Sequence, residues 1–321
     1  MSDTPPPDTS PIEACVITGP TACGKSAVAL RLAELTGTEI LSVDSMKIYR
    51  RMDIGTAKPT PADRARVPHH LIDLREPWEG YSVHDYVRDA EGAARLCASR
   101  GHAVLMEGGT PLYLKAFLEG LFEGPPPDEG LRARLREEAS EQGLARLHAR
   151  LERVDPVAAA RIHINDERRI IRALEVHAQT GTPISELQRQ FGRRREHIHA
   201  RVFALRRPRE ELRERVARRV DRMLERGWLD EARTLLEIHE GGDPLSRPAL
   251  GALGYRELWA HIRGEIPLDE ARRRIARETM RFVRKQMTWL RSFGGIEWLD
   301  ATDDPDGDAE RVVRDLASPG V

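Results

Sequence analysis

Short apolar runs alternate with helical segments along much of this chain. β-prone apolar residues occupy 14–18, 39–43, 103–107 and 201–205, and residues 27–35 repeat their apolar positions with helical spacing. Such runs, buried on both faces and separated by helices, are typical of a parallel sheet covered by helices. The pattern therefore predicts an α/β fold.

The predicted strands end at residues that could carry chemistry. The first run enters a glycine-rich loop, the second ends at Asp44, and the third ends at Gly108, Gly109 and Thr110. Ligands of open parallel sheets bind beyond the carboxyl ends of the strands. We expect these three segments to meet at one edge of the sheet.

A proline-rich break at residues 124–128 interrupts the α/β pattern, and the sequence after it is helical and charged. The sheet pattern resumes near residue 200, and long helical stretches follow at about 209–240 and 268–291. We predict a disordered tail at 1–12, a core at 13–127 and 199–299, a helical insertion domain at 128–198, and an acidic tail at 300–321.

Composition narrows the class of protein. The chain of 321 residues is 40% hydrophobic and 32% charged, with a mean hydropathy of −0.52. It contains no apolar stretch of the ~18 residues that a membrane span needs, and its first residues do not resemble a signal peptide. Its 3 cysteines form no CxxC pair, which favours a reducing compartment and a cytoplasmic protein.

Opposite charges are segregated within a nearly neutral chain of net charge −1. Residues 193–233 hold 14 arginines against 8 acids, and residues 297–315 hold 8 acids against 2 arginines. Residues 268–291 are basic as well. The basic segments predict either a local cationic surface or solvated helix faces.

The glycine-rich loop has the pattern GxxxxGK[ST]. Backbone N–H groups of such a loop surround phosphate oxygens, and the following helix adds its positive end. Lys25 supplies a charge, and the Ser26 hydroxyl can hold Mg²⁺. The motif predicts a P-loop NTPase-like fold and a phosphate or diphosphate site, built by Gly19, Pro20, Thr21, Ala22, Cys23, Gly24, Lys25 and Ser26.

Two acids at strand ends leave alternatives open. Glu107 either holds a metal ion or is a solvated strand end. Asp44 could be a general base or a metal ligand, or it could cap the next helix.

Several ordered motifs closely resemble those of the tRNA dimethylallyltransferases. They are the P-loop, residues 44–49, 52–59 and 67–73, residues 108–113, Asn165 and Asp166 with 169–176, residues 254–257, and residues 284–291. The resemblance spans about residues 14–299.

The resemblance implies transfer of a dimethylallyl group from its diphosphate to N6 of the adenosine immediately 3′ of the anticodon, in tRNAs that read codons beginning with U. The P-loop would hold the leaving diphosphate with Mg²⁺, and Asp44 would accept the proton from N6. Thr21, Lys25 and Arg215 would complete the catalytic set.

The resemblance also implies a tRNA-binding set, and the insertion domain would grip the anticodon stem-loop. Members of that set are Asp44, Ser45, Met46, Lys47, Thr110, Arg168, Arg169, Ile170, Ile171, Arg172, Gly251, Ala252, Leu253, Gly254, Tyr255 and Arg256. The arginine stripe Arg215, Arg219, Arg222 and Arg226, and a second one at Arg274, Arg277, Arg281 and Arg284, could face anionic ligands.

The chain departs from the family pattern at three positions that concern tRNA selection. Lys47 replaces a usual glutamine, Met280 a usual arginine and Pro111 a frequent glycine. Alternatives to prenyl transfer are a small-molecule kinase and an RNA-binding protein without catalysis. We expect a monomer, no zinc site, and packing roles rather than base stacking for Tyr113, Trp259, Trp289, His69 and His70.

Overall fold

A six-stranded parallel sheet forms the centre of the computed structural model, which describes residues 11–121, 124–188 and 194–318. The strand order is β3-β2-β4-β1-β5-β6. The strands are β1 (Ile12–Thr18), β2 (Glu39–Val43), β3 (His69–His70), β4 (Val104–Gly108), β5 (Ile198–Arg206) and β6 (Ile296–Asp300). The predicted α/β fold is confirmed.

Alternate residues of the central strands face two separate cores. Val16 lies opposite Met106 and Val202, and all three belong to the larger core. The next residue, Ile17, belongs to the smaller core on the other face. Burial on both faces explains why these strands read as continuous apolar runs.

Helices cover both faces of the sheet. Those of the main unit are α1 (Lys25–Thr36), α2 (Pro61–Arg66), α3 (Val83–Ser99), α4 (Pro111–Glu119), α10 (Arg209–Glu225), α11 (Trp228–Glu240), α12 (Arg247–Leu250), α13 (Tyr255–Ile262), α14 (Leu268–Ser292) and α15 (Pro305–Ala317). Helix α10 buries Leu212, Val216, Val220 and Met223. These four residues are three or four positions apart in sequence, so they form one apolar face of the helix.

The chain forms two compact units. One comprises the residues up to Leu118 and from Glu196 onward, and the other is Glu119–Arg195. The second unit contains α5 (Glu129–Gln142), α6 (Leu144–Val154), α7 (Pro156–Arg161), α8 (Glu167–Thr180) and α9 (Ile184–Leu187). It has its own hydrophobic core, which includes Leu147, Leu151 and Ile170. The predicted insertion, 128–198, begins nine residues after this unit begins and ends three residues after it ends.

The acidic segment after residue 300 is not a separate tail. Helix α15 packs on α1, and Ala309 and Val312 are buried in the smaller core. Its first turn is capped by Asp304, whose side chain accepts from the N–H of Asp306. This helix was not predicted, because charged residues are interspersed with its apolar ones.

The N-terminal prediction lies mostly outside the described residues, since β1 begins at Ile12. Within the part of the chain that the structure describes, no helix has the length and apolar character to cross a bilayer.

Candidate active site

The P-loop joins β1 to α1 with the backbone that its glycines allow. Gly24 precedes α1 with φ 106°, and Gly19 has φ 147°. A Cβ at Gly19 would lie 2.7 Å from the Leu205 carbonyl oxygen, so a side chain has no room there. The N-cap residue of α1 is Gly24, which has no side chain to cap the first turn, so the positive end of the helix can face an anion.

Two arginines hold the loop by its carbonyl groups. Arg215 Nε donates to the Ala22 oxygen at 2.9 Å, and Arg207 Nε donates to the Cys23 oxygen at 2.8 Å. Arg215 also donates to Asp303 Oδ1 at 2.6 Å. The predicted Arg215 is therefore at the P-loop, and Arg207 is a loop contact that the sequence analysis missed.

A small cationic cavity of about 170 Å³ opens over the start of α1. Lys25, Arg215, Arg219 and Arg222 contribute its positive charge. Its remaining lining residues are Ala22, Gly24, Ser26 and Ala27. Such a cavity suits a phosphate or diphosphate group.

Cys23 and Pro20 have structural roles in the loop. The Pro20 oxygen accepts from the Cys23 N–H at 3.3 Å. The Cys23 side chain is fully buried, and this burial raises the pKa of its thiol. The thiol is therefore a packing group rather than a nucleophile.

Glu107 is a buried carboxylate at the end of β4. Its Oε1 accepts from Ser26 Oγ at 2.9 Å, and its Oε2 accepts from Lys47 Nζ at 2.9 Å. Burial opposes ionisation, but Lys47, Lys25 and the hydrogen bonds lower the pKa of Glu107 to about 2. Of the two alternatives for Glu107, the solvated strand end is excluded, because the residue is 4% exposed.

The Ser26 and Glu107 oxygens fit a hard divalent cation. Ser26 lines the cationic cavity, and its hydroxyl is hydrogen-bonded to the carboxylate of the buried Glu107; oxygen donors of this kind are what such cations prefer. Lys47 neutralises part of the charge of Glu107 and occupies its other oxygen. The protein would therefore offer a cation few ligands besides those of a bound phosphate.

Asp44 follows β2 and caps the turn after it. Its Oδ1 accepts from the N–H groups of Met46 at 2.8 Å and Lys47 at 3.3 Å. The same side chain lines a second cavity of about 380 Å³, together with Thr21 and Lys25. The expected helix after Asp44 is absent, because residues 45–48 form a turn. The carboxylate caps that turn and lies at a cavity shared with the P-loop, where it could also act as a base.

The second cavity has an apolar side and a polar side. Val220, Met223, Trp228, Ile275 and Phe282 form much of the apolar wall. The polar and backbone lining includes Ser45, Met46, Gly55, Thr56, Gly109, Thr110, Thr279, Lys285 and Gln286. Lys25 and Arg219 line both cavities. The site therefore combines a cationic end with a larger, partly apolar space.

Gln286 is the main site residue that pattern reasoning did not single out. Its Oε1 accepts from the Thr21 N–H at 2.9 Å and Thr21 Oγ1 at 3.2 Å, while its Nε2 donates to the Gly109 oxygen at 2.8 Å. It is 3% exposed on α14. A polar residue at an otherwise apolar position of this long helix was the available signal.

The loop after β2 is fixed by an acid on α11. Glu231 accepts from the N–H groups of Asp53 at 2.8 Å, Ile54 at 2.7 Å and Gly55 at 3.0 Å. Tyr255 donates its hydroxyl to the same carboxylate at 2.7 Å. Three separate parts of the chain thus hold one wall of the larger cavity.

The predicted tRNA-binding residues fall into three groups: some line the larger cavity, some are exposed on the surface, and some are buried. Asp44, Ser45, Met46, Thr110, Gly251, Ala252 and Leu253 line the larger cavity. Ser45 N–H donates to Thr110 Oγ1 at 3.0 Å, which joins the second and third strand-end segments. Arg168, Arg169 and Arg256 are exposed.

Four members of that set have buried side chains, and their contact with tRNA stays a prediction. Lys47 is 6% exposed and paired with Glu107, and Tyr255 is fully buried against Glu231. Ile170 and Ile171 belong to the core of the helical unit. These side chains position other groups.

Two further members have defined structural contacts. Arg172 donates to the buried Glu175 at 2.7 Å and to the Pro125 oxygen at 3.1 Å. Gly254 has φ 92°, and a Cβ there would lie 2.3 Å from the Trp228 ring. Arg172 therefore holds the helical unit together, and Gly254 is required for the close approach of Trp228.

The aromatic residues are packed, as the sequence analysis expects. Tyr113 is 6% exposed and stacks on Tyr86, with ring centroids 4.0 Å apart. Trp259 is 5% exposed, and Trp289 stacks on Phe293 at 5.0 Å.

Comparisons with known proteins agree with the geometry of the site. A protein-family model described as IPP transferase matches residues 47–293. The tRNA dimethylallyltransferase of Syntrophobacter fumaroxidans is 45% identical over 300 residues, which covers 94% of this chain and 86% of that protein. The tRNA dimethylallyltransferase of Geobacter metallireducens is 45% identical over 285 residues, covering 89% and 91%.

Solved structures that are similar to this chain come from the same kind of enzyme. The tRNA isopentenylpyrophosphate transferase of Bacillus halodurans is 35% identical, with a TM-score of 0.69 over 95% of each chain. A eukaryotic dimethylallyltransferase acting on tRNA is 26% identical, with a TM-score of 0.79 over 95% of this chain and 78% of that one. The chain therefore belongs to the IPP transferase family.

Proposed function

We propose that this protein transfers a dimethylallyl group from dimethylallyl diphosphate to N6 of the adenosine immediately 3′ of the anticodon, in tRNAs that read codons beginning with U. One observation supports this most strongly. Asp44 lines the same cavity as the P-loop residues Thr21 and Lys25, and that cavity adjoins the cationic one. The site would thus bind a diphosphate next to a side chain that can accept a proton.

The cationic cavity would hold the diphosphate. Lys25 and the first N–H groups of α1 face it, with Arg215, Arg219 and Arg222 around its rim. Negative charge grows on the diphosphate as it leaves, and fixed cations and N–H groups stabilise that charge. Ser26 and Glu107 are the oxygen donors for Mg²⁺, which supplies further charge neutralisation when bound.

The larger cavity would hold the reacting groups. Its apolar wall, with Val220, Met223 and Ile275, suits a dimethylallyl chain. The adenine must leave its stack to enter. Its N6 forms a bond to C1 of the allyl group, the C1–O bond to the diphosphate breaks, and one N6 proton passes to the Asp44 carboxylate. Thr21 would orient the reacting groups.

The tRNA would be bound through its anticodon stem-loop. Exposed Arg168 and Arg169 on α8 are candidates for phosphate contacts, which position RNA without reading its sequence. The larger cavity, with residues 251–253 in its wall, would receive the target base. We propose a cytoplasmic location, because free thiols at Cys15, Cys23 and Cys97 suit a reducing compartment. We also propose that the protein is a monomer.

Transfer of label tests the proposal. The protein is incubated with Mg²⁺, radiolabelled dimethylallyl diphosphate and unmodified tRNA, and the tRNA is digested to nucleosides. We expect label in N6-(dimethylallyl)adenosine from the position 3′ of the anticodon. Turnover of ATP with no labelled tRNA would instead favour a kinase and overturn the proposal, and binding of tRNA without label would favour a non-catalytic protein.

A further inference from the structure

A cluster of three potential metal ligands lies at the end of the sheet opposite Asp44. Glu39 begins β2, His70 ends the short strand β3, and Cys97 lies in the last turns of α3. His70 is 31 residues from Glu39 and 27 residues from Cys97. Spacing of this kind gives no sequence signal for a metal site, and the folded chain alone brings the three together.

The ligand atoms of the cluster are close enough to share one ion. Cys97 Sγ lies 3.7 Å from Glu39 Oε2 and 3.7 Å from His70 Nε2, and those two atoms are 2.5 Å apart. All three lie within 4.8 Å of one another. The separations from the sulfur fit a tetrahedral Zn²⁺, whose bonds to sulfur, nitrogen and oxygen are about 2.0–2.3 Å. His70 and Glu39 share a hydrogen bond, and an ion that replaces its proton would have to move these two atoms apart.

Burial distinguishes this cluster from an ordinary surface group of acids. Glu39 is 2% exposed and Cys97 is fully buried, whereas the His70 side chain is 20% exposed. The cluster therefore has an enclosed carboxylate and thiol with one opening at His70, through which an ion could enter.

Two outer groups touch the same carboxylate. His102 Nδ1 lies 2.7 Å from Glu39 Oε1, and Arg100 Nη1 lies 3.3 Å from both oxygens. Their side chains are 42% and 49% exposed, so both can turn to solvent. His102 bonds the oxygen that faces away from Cys97, which is where an outer partner orients a metal-bound carboxylate.

The competing explanation is a metal-free ion-pair cluster around Glu39. Burial opposes its ionisation, but hydrogen bonds from His70, His102 and Arg100 lower the pKa of Glu39 to about 2. These ion pairs and hydrogen bonds give the buried Glu39 carboxylate enough partners without a metal ion. In this metal-free cluster, Cys97 packs in the larger core, and its thiol is a weak donor to Glu39 Oε2 at 3.7 Å. Only a metal ion would use the sulfur, the imidazole and the carboxylate together.

We propose that Glu39, His70 and Cys97 form a binding site for one zinc-like divalent transition-metal ion. The ion would take His70 Nε2 and Glu39 Oε2 as ligands, and Cys97 would bind as the thiolate after releasing its proton to solvent. Water would complete the shell. The ion would tie the amino end of β2 to β3 and α3, away from the P-loop, and its role would be structural.

Cobalt substitution tests the proposal on the full-length protein. Co²⁺ bound by a thiolate gives a ligand-to-metal charge-transfer absorption that carboxylate and imidazole sites do not give. We expect this absorption to saturate at one Co²⁺ per chain, and Zn²⁺ to abolish it by displacement. With Zn²⁺ at a hundredfold excess over its dissociation constant, the thermal midpoint should rise by roughly 5 °C.

Matched variants assign the absorption to the cluster. Cys97→Ser should lose it, whereas Cys15→Ser, which changes a half-buried thiol outside the cluster, should keep it. His70→Gln should weaken Co²⁺ binding, whereas His69→Gln should not, since His69 Nδ1 is bonded to the Val67 oxygen. Circular dichroism checks that each variant is folded, and if Cys97→Ser fails that check, His70→Gln and His69→Gln decide.

Either of two results would overturn the proposal. Wild-type protein titrated with Co²⁺ without any thiolate absorption would leave the cluster as ion pairs only. The second result is absorption that does not depend on the cluster. It would persist in a folded Cys97→Ser variant, or respond equally to His69→Gln and His70→Gln, and it would place the metal at another thiol.

Discussion

At the scale of single residues, Gln286 joins parts of the site that are far apart in sequence. Its side chain connects Thr21 in the P-loop to the Gly109 carbonyl after β4. Both partners lie next to the cavity that holds Asp44. The geometry of the P-loop therefore depends on α14 as well as on its own glycines.

Replacing Gln286 by Leu should damage both stability and transfer. The change leaves the Thr21 N–H and the Gly109 oxygen without partners, which costs about 1–3 kcal/mol. We expect a lower free energy of unfolding in urea and a reduced rate of transfer. Thr288→Ala is the control, because its exposed hydroxyl bonds only the Arg284 oxygen of its own helix. Equal effects from both variants would contradict the assigned role of Gln286.

Pattern reasoning found the residues of the site that belong to local motifs and missed those that act across the fold. Lys25, Ser26 and Asp44 follow strands directly, so their neighbourhood could be predicted from the sequence. Arg207 and Gln286 lie on other elements and reach the P-loop only after folding. Lys47 was assigned to RNA by position in a motif, and its burial against Glu107 could not be read from that motif.

At the scale of elements, the Lys47–Glu107 pair links the turn after β2 to the end of β4. Both residues are buried, and each is the principal charge partner of the other. A buried charge that loses its partner is costly, whereas removal of both charges is often close to neutral. The pair therefore determines how these two strand ends are held together.

A double-mutant cycle measures this coupling. Lys47→Met should lower the free energy of unfolding by about 3–5 kcal/mol, because Glu107 keeps its buried charge without a partner. Adding Glu107→Gln should recover most of that loss. Arg50→Met is the surface control, since Arg50 is 3.5 Å from Glu76 and half exposed, and it should change stability by less than about 0.5 kcal/mol. Additive effects of the two buried substitutions would refute the coupling.

The same pair predicts a dependence on pH. Since the folded pKa of Glu107, about 2, is below that of an ordinary glutamate, its contribution is complete above the unfolded value and declines as the pH falls toward 2. The free energy of unfolding of wild type should therefore fall relative to that of the Lys47→Met/Glu107→Gln variant between about pH 6 and pH 3. Urea unfolding across that range measures it, and a constant difference would show that Glu107 is not ionised in the folded protein.

At the scale of the whole molecule, the sequence predicts the division into an α/β unit and a helical unit better than it predicts the chain's end. The proline-rich break and the loss of strand pattern locate the end of the helical unit to within three residues and its start to within nine. Helix α15 escaped prediction because charged residues interrupt its apolar positions, yet it covers α1, and the loop before it brings Asp303 to Arg215. Packing against the rest of the fold, rather than local helix propensity, determines that this segment is helical.

Arginines on α8 test the role of the helical unit. Arg168→Ala should weaken tRNA binding and reduce the slope of log affinity against log salt by about 1, as the loss of one phosphate contact does. Arg172→Ala is the contrasting variant. Because Arg172 bonds the buried Glu175, its loss should cost about 1.5–3 kcal/mol of stability and leave the slope unchanged. A slope unaffected by Arg168→Ala would exclude that residue from the RNA interface.

The whole account depends on Asp44 accepting the proton from the adenine amine. Asn at this position keeps an oxygen that can accept from the Met46 and Lys47 N–H groups, so Asp44→Asn preserves the capped turn while removing the base. Single-turnover transfer of the dimethylallyl group, measured alongside tRNA affinity, is the most direct test. We predict a rate at least ~10²-fold lower with tRNA affinity unchanged; a rate near that of wild type would contradict the mechanism.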